Sequence, residues 1–219
     1  MIKFLNQVSG FDRVYFLMGN HEHYRGHYQS SPGILRQFIV DNGFDPSKYV
    51  VLDNDSVALD DKTILVGSTL WTDMNWNVGR GMNDFRLIEY GPLDDVGMAR
   101  TFTTEDAMAE HKKALAFITE VVEANPDKRI VVATHHTPSY QSNGRAYNDS
   151  TIIDGYCSNL EDFILDHPNI TDWIHGHTHV NVEYMIGQCR ITSNMRGYVA
   201  YDFSTNFTKD KFLEKCIEI

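Results

Sequence analysis

Eight of the ten histidines fall in three short windows: His21, His23 and His27; His135 and His136; and His175, His177 and His179. The windows cover fourteen of 219 positions, where random placement would put fewer than one histidine. Imidazole is a common transition-metal ligand and a proton carrier near neutral pH, so this density points to a metal centre or to acid-base chemistry. The first window reads Gly19-Asn20-His21-Glu22. Glycine permits a sharp exit from a strand, Asn20 carries a neutral oxygen ligand, and Glu22 is placed to orient or charge-stabilise His21. The second, Thr134-His135-His136-Thr137-Pro138, sets a histidine directly after an apolar run that holds its backbone still. The third, His175-Gly176-His177-Thr178-His179, offers imidazoles at i and i+2 after a glycine and is the most specific of the three. Nothing fixes the direction of His23 and His27, which are read as structural. Each window alone also fits a turn or a hydrogen-bonded rim; the conjunction does not.

The elements that must position these residues are apolar, β-rich runs. Residues 14–18, 129–134 and 172–174 each directly precede a histidine window, and further strands are expected at 49–52, 63–66, 182–186 and 190–192. Gly187-Gln188 reads as a hairpin turn between the last two. In open α/β sheets ligands bind beyond the carboxyl ends of the strands, so the three windows are expected to converge there. The clearest helix begins at Thr103, with Asp106 completing a capping box, and runs to about Asn125 before Pro126. Met108, Leu115, Ile118 and Val122 form its apolar stripe, with Glu105, Glu110, Lys112, Lys113 and Glu120 mostly off it. Shorter helices are expected at 33–42 and at 159–166, the latter stopped by Pro168, and Ile2, Leu5 and Val8 read as the tail of another. Strands alternating with helices, followed by hairpin strands, predict an α/β core with a mixed second sheet.

Composition narrows the class. Hydrophobic residues at 42% and charged residues at 22% exclude disorder, collagen-like and coiled-coil architectures, and the length favours one domain spanning 1–219. Nineteen Lys and Arg against thirty Asp and Glu leave a formal charge of −11, which repels a polyanion and disfavours a duplex-coating role. Bound metal would still admit a small phosphorylated substrate. Cys157, Cys189 and Cys216 are odd in number and lack a Cys-x-x-Cys spacing, which suits a reducing compartment. No long apolar run marks a signal peptide or membrane span, so a cytoplasmic location is expected.

The motifs together resemble the calcineurin-like metallophosphoesterases. That family's Gly-Asn-His-Glu/Asp, strand-ending His and Gly-His-x-His match Gly19 to Glu22, His135 and Gly176 to His179 in order and approximate spacing. The likeness extends to Thr69-Leu70-Trp71-Thr72-Asp73, Met82-Asn83-Asp84-Phe85 and Arg196-Gly197-Tyr198. The resemblance implies a sandwich of two mixed β-sheets flanked by helices, carrying a centre of two divalent ions, Mn, Fe or Zn, with Mn the expected activator in vitro. It implies that Asn20, His135 and His177 hold one ion and His179 the other, with His135 preferred to His136 because it directly follows the strand. His21 would face the substrate and assist the leaving group, with Glu22 holding its ring, and Arg196 is a candidate phosphate contact. The implied activity is hydrolysis of phosphoesters, including phosphodiesters, by hydroxide activated between the two ions.

Two earlier motifs of the family, Asp-x-His and Gly-Asp-x-x-Asp, have no counterpart before Asn20. The expectation is therefore an N-terminally truncated domain without its first strand-helix-strand unit, with an impaired first metal site and room for a complementing N-terminal fragment. The alternative function is a non-catalytic one-metal domain acting as a binding or interaction module, or half of a split enzyme. The stretches Trp71 to Asp84 and Ser139 to Tyr156 are expected to line the pocket.

Overall fold

The computed structural model describes residues 1–74, 78, 81–93, 97–143 and 151–195. Its centre is a six-stranded mixed sheet built on consecutive apolar runs. In chain order its strands are β4 (Asp55–Ala58), β5 (Thr63–Ser68), β8 (Arg129–Thr134), β9 (Ile170–His175), β10 (Glu183–Ile186) and β11 (Cys189–Thr192). Their spatial order is β10-β11-β9-β8-β5-β4. β5, β8, β9 and β11 are parallel, and the antiparallel partners β4 and β10 close the two edges. Every residue of β5 is buried, as a strand covered on both faces requires.

Side-chain alternation sorts those strands into two cores. Ile64, Val66, Ile130, Val132 and Trp173 face α4 (Thr104–Ala124) and α5 (Glu161–Asp166), meeting Ala114, Ile118, Val122 and Ile164. Leu65, Val131 and Ala133 point the other way, toward Leu52 and Leu17. Those leucines belong to a second sheet of two parallel strands, β1 (Val14–Leu17) and β3 (Tyr49–Leu52). α1 (Ile2–Gln7) and α2 (Ser31–Asp41) cover its outer face, Leu5 and Ile39 clustering with Val51 of β3. The layers are thus α/β/β/α, an α/β fold with helices flanking sheets. Each fully buried Leu, Ile or Val in them contributes about 1.5–3 kcal/mol. Among the described residues no helix is long and apolar enough to cross a membrane.

Three features depart from the sequence reading. Among the described residues the second sheet has two strands, parallel to each other, where a mixed sheet was expected. A third sheet of short strands appears, β2 (Gly26–His27), β6 (Ile88–Tyr90) and β7 (Arg100–Thr101), too brief to show a period. β4, with its burial alternating between half-buried and exposed and only Val57 and Ala58 apolar, was also missed. The Thr103–Asp106 capping box forms as expected, the Thr103 hydroxyl accepting from the Asp106 N–H. Glu110, expected on the solvent face of α4, is buried because the Tyr90 hydroxyl donates to it. Asp172, also buried, is matched by Arg129 and Arg190 at 2.6 and 2.8 Å, which removes the cost of an unpaired buried charge.

The two sheets approach closely at Gly67. A Cβ there would lie 2.5 Å from Leu52 Cβ, 2.6 Å from Leu52 Cδ1 and 2.8 Å from Leu17 Cδ2. Gly67→Ala is expected to destabilise the chain by roughly 1–3 kcal/mol, read as a fall in melting temperature of about 2–4 °C per kcal/mol. A second test concerns His23, 1% exposed, tilted against the Tyr28 ring at 4.5 Å, with neither ring nitrogen partnered among the described residues. Burial lowers its pKa to about 4. The unfolded state binds the extra proton below about pH 6.5, so this contribution to stability is intact above that pH. It is lost as pH falls toward 4. His23→Phe is expected to raise stability by about 1 kcal/mol at pH 7 and to flatten the decline between pH 6.5 and 4 in urea titrations.

Candidate active site

Parallel pairing of β8 and β9 sets Thr134 opposite His175 in register. The two chains therefore leave the sheet side by side, and His135 and His177 emerge together. The Gly176 N–H donates to the His135 carbonyl at 3.0 Å, tying the exits to each other. β1 delivers the third segment from the other sheet, and the Thr69 hydroxyl, just beyond β5, donates to the Met18 carbonyl at 2.8 Å. Gly19 has an ordinary extended conformation, φ −92° and ψ 176°, so a sharp turn is not why it is glycine. Space is the reason: a Cβ would come within 2.6 Å of the His135 ring.

These constraints bring three donor atoms together. His135 Nε2 lies 2.9 Å from Asn20 Oδ1 and 3.0 Å from His177 Nδ1. Burial first, and then the neighbouring imidazoles, push His135 and His177 well below the ordinary histidine pKa, so both rings are neutral at pH 7. A single N–H on His135 Nε2 would have to be shared between two acceptors, Asn20 Oδ1 and a deprotonated His177 Nδ1. A cation in that position would take the lone pairs of all three. The separations match neighbouring donors that share a six-coordinate ion with bonds of about 2.1 Å. Among the described residues no group of three or more His, Cys, Asp or Glu side chains gathers around a metal position; the convergent set is two imidazoles and an amide oxygen.

His177 has φ +73° and His179 φ +52°, left-handed conformations that are strained for residues other than glycine. Consecutive Leu70 and Trp71, which follow β5, are left-handed as well, at φ +69° and +51°. The strain lies at the strand exits, where the backbone is bent to turn His177 and His179 into the cleft and Leu70 and Trp71 into the cores.

That cleft, about 440 Å³, is lined by Asn20, His21, Glu22, His135, His177 and His179 among others, which brings six of the expected site residues to one place. His21 is exposed in its mouth, its ring 4.5 Å from that of Tyr24. Glu22 Oε2 accepts the Gly19 N–H at 2.9 Å, bracing the turn that carries Asn20. Of the adjacent histidines, His135 is the one in the cleft. His136 is wholly buried, its Nδ1 against the Thr69 carbonyl and its ring stacked on Trp71, and burial lowers its pKa to about 3. His175 turns away to Ser142 Oγ at 2.8 Å, and His27 to the Gly91 carbonyl at 2.7 Å. Arg196 lies outside the described residues.

Residues the sequence placed only within broad stretches also line the cleft: Met82, Asp84, Asn143 and Tyr156. Asp84 is buried and accepts from Asn20 Nδ2 at 2.8 Å and from the Tyr24 hydroxyl at 3.2 Å. Burial raises its pKa, and those two hydrogen bonds oppose the rise. Asn143 is 6% exposed, and among the described residues neither atom of its amide has a partner. No periodicity or metal-ligand spacing marks these positions; Asn83-Asp84 in Met82-Asn83-Asp84-Phe85 was the available signal.

Comparison with known proteins agrees with this geometry. A family model described as calcineurin-like phosphoesterase matches residues 1–181. The fold is shared with the phosphopantetheinyl hydrolase PptH of Mycobacterium tuberculosis, 15% identical with a TM-score of 0.59, over 90% of this chain and 73% of that one. A second crystal structure, also 15% identical, has a TM-score of 0.51 over 88% of this chain and 61% of the other. No curated protein matches the chain in sequence. With the family model covering most of its length and its histidine motifs meeting in one cleft, the chain belongs to the calcineurin-like phosphoesterase family.

Proposed function

We propose that the chain is a divalent-metal-dependent hydrolase acting on small phosphoesters, phosphodiesters among them. The observation that carries the reading is the convergence of Asn20 Oδ1, His135 Nε2 and His177 Nδ1, three lone-pair donors in one half-buried cluster at the cleft. These residues would hold one ion, and His179, on the same wall, would contribute to a second. When bound, two ions, Mn in vitro and Fe or Zn as alternatives, would supply charge against the phosphoryl oxygens and lower the pKa of a water so that hydroxide is available to attack phosphorus in line.

The chain's own residues divide the remaining work. His21, in the open mouth, delivers a proton to the departing ester oxygen. Glu22 keeps the Asn20–His21 turn in place through the Gly19 N–H. Asn143 offers an unsatisfied amide to a polar group of the substrate, which offsets the cost of leaving that amide buried. A formal charge of −11 favours a small substrate over a long polyanion. The reading places the protein in the cytoplasm, where the free thiols Cys157 and Cys189 remain reduced.

The test is hydrolysis of bis(p-nitrophenyl) phosphate by the full chain with added Mn²⁺. Turnover is expected, and His177→Ala should lower it by at least about 100-fold, since loss of a ligand exceeds the usual cost of losing its supporting bonds. A variant that keeps full activity overturns the site. His21→Ala should cost about 10²–10⁴-fold with an alkyl phosphodiester and much less with the p-nitrophenyl ester, whose leaving group departs without a proton. Equal losses on both substrates would remove His21 from the proton-donor role. A melting temperature that rises with Mn²⁺ in a chain without turnover would favour the one-metal binding module instead.

A further inference from the structure

We infer that Asp84 is a positioning residue that locks the Asn20 amide with its oxygen toward His135 and His177; this rests on the metal-dependent reading above. The oxygen and nitrogen ends of an asparagine amide have nearly the same shape, so packing alone does not choose between its two orientations. Here the choice has a chemical consequence. With the oxygen inward, Asn20 adds a lone pair to those of two neutral imidazoles. Turned over, its NH₂ would donate to the His135 lone pair and block that donor.

Asp84 settles the orientation because a carboxylate oxygen accepts and does not donate. Asn20 Nδ2 donates to Asp84 Oδ1 at 2.8 Å, and the reversed amide would set two oxygens against each other. Asp84 is itself fixed, its Oδ2 accepting from the Tyr24 hydroxyl at 3.2 Å. Both Asn20 and Asp84 are buried, at 4% and 2% exposure, so water does not readily replace the bond.

The small third sheet holds the two partners in register. Asp84 opens the short helix α3 (Asp84–Leu87), which runs directly into β6, and the turn carrying Asn20 leads to β2. β2 and β6 pair in parallel, Gly26 against Ile88, and the Arg25 N–H donates to the Leu87 carbonyl at 2.6 Å. Residues 64 positions apart in sequence are thereby kept within one hydrogen bond.

Calorimetric titration of Mn²⁺ into the full chain, stripped with chelator and exchanged, tests the inference without relying on turnover. Asp84→Ala and Asp84→Leu should each weaken Mn²⁺ binding by about 10–100-fold, and Asp84→Asn, which keeps an acceptor for Asn20 and a partner for Tyr24, should stay within a few-fold of wild type. Melting temperatures of the metal-free variants separate this effect from a loss of fold, and Leu serves as the second probe if Ala does not fold. Unchanged affinity in the Ala or Leu variant overturns the inference, as does an Asn variant as weak as Ala, which would mean that charge and not orientation matters. A wild-type chain that takes up no Mn²⁺ overturns the metal reading itself, and the inference with it.

Discussion

Parallel, in-register pairing of β8 with β9 is the constraint from which the site follows. It places Thr134 opposite His175, so the residues just beyond them share one edge of the sheet. Without that pairing, His135 and His177 would be two histidines on separate loops, 42 positions apart. The pairing is itself held by burial on both faces, with Ile130 and Val132 against α4 and Val131 and Ala133 against the β1–β3 sheet. The same second face brings β1 alongside, and with β1 comes Asn20. Core packing and donor convergence are therefore one fact seen at two scales.

Holding polar groups in this way runs against the ordinary preferences of a folded chain. Two neutral imidazoles and an amide oxygen face each other with too few protons to satisfy them, and His177 Nε2 is buried without a partner among the described residues. Left-handed conformations at His177 and His179 add backbone strain. Such features persist only where the surroundings over-determine them, and here an extensive apolar core supplies the stability they withhold. Their concentration at one cleft is the physical signature of a site shaped for a ligand.

Much of the scaffold was legible in the residues. The runs at β1, β3, β5, β8 and β9, the hairpin at Gly187-Gln188 and the Thr103 cap all follow from hydrophobic period and turn chemistry, which act locally. What escaped was set by long-range partners. β2, β6 and β7 are too short to carry a period, and Glu110 looked like a surface residue until Tyr90 claimed its carboxylate. Glycine at position 19 was expected for its conformational freedom and is needed instead for the space beside His135.

Read along the chain, the residues specify the chemistry available: neutral nitrogen and oxygen donors in three windows, each after an apolar strand, and hence a family resemblance. Residue type and local spacing suffice for that, because a ligand's identity and its strand are properties of short segments. Which donors meet was settled by long-range packing. It set His135, the residue preferred for directly following the strand, in the cleft and His136 in the core, turned His175 and His27 to hydrogen bonds elsewhere, and brought Asp84 to the back of Asn20. Those outcomes depend on atoms far apart in the chain approaching within a few ångströms, and no local pattern encodes such an approach.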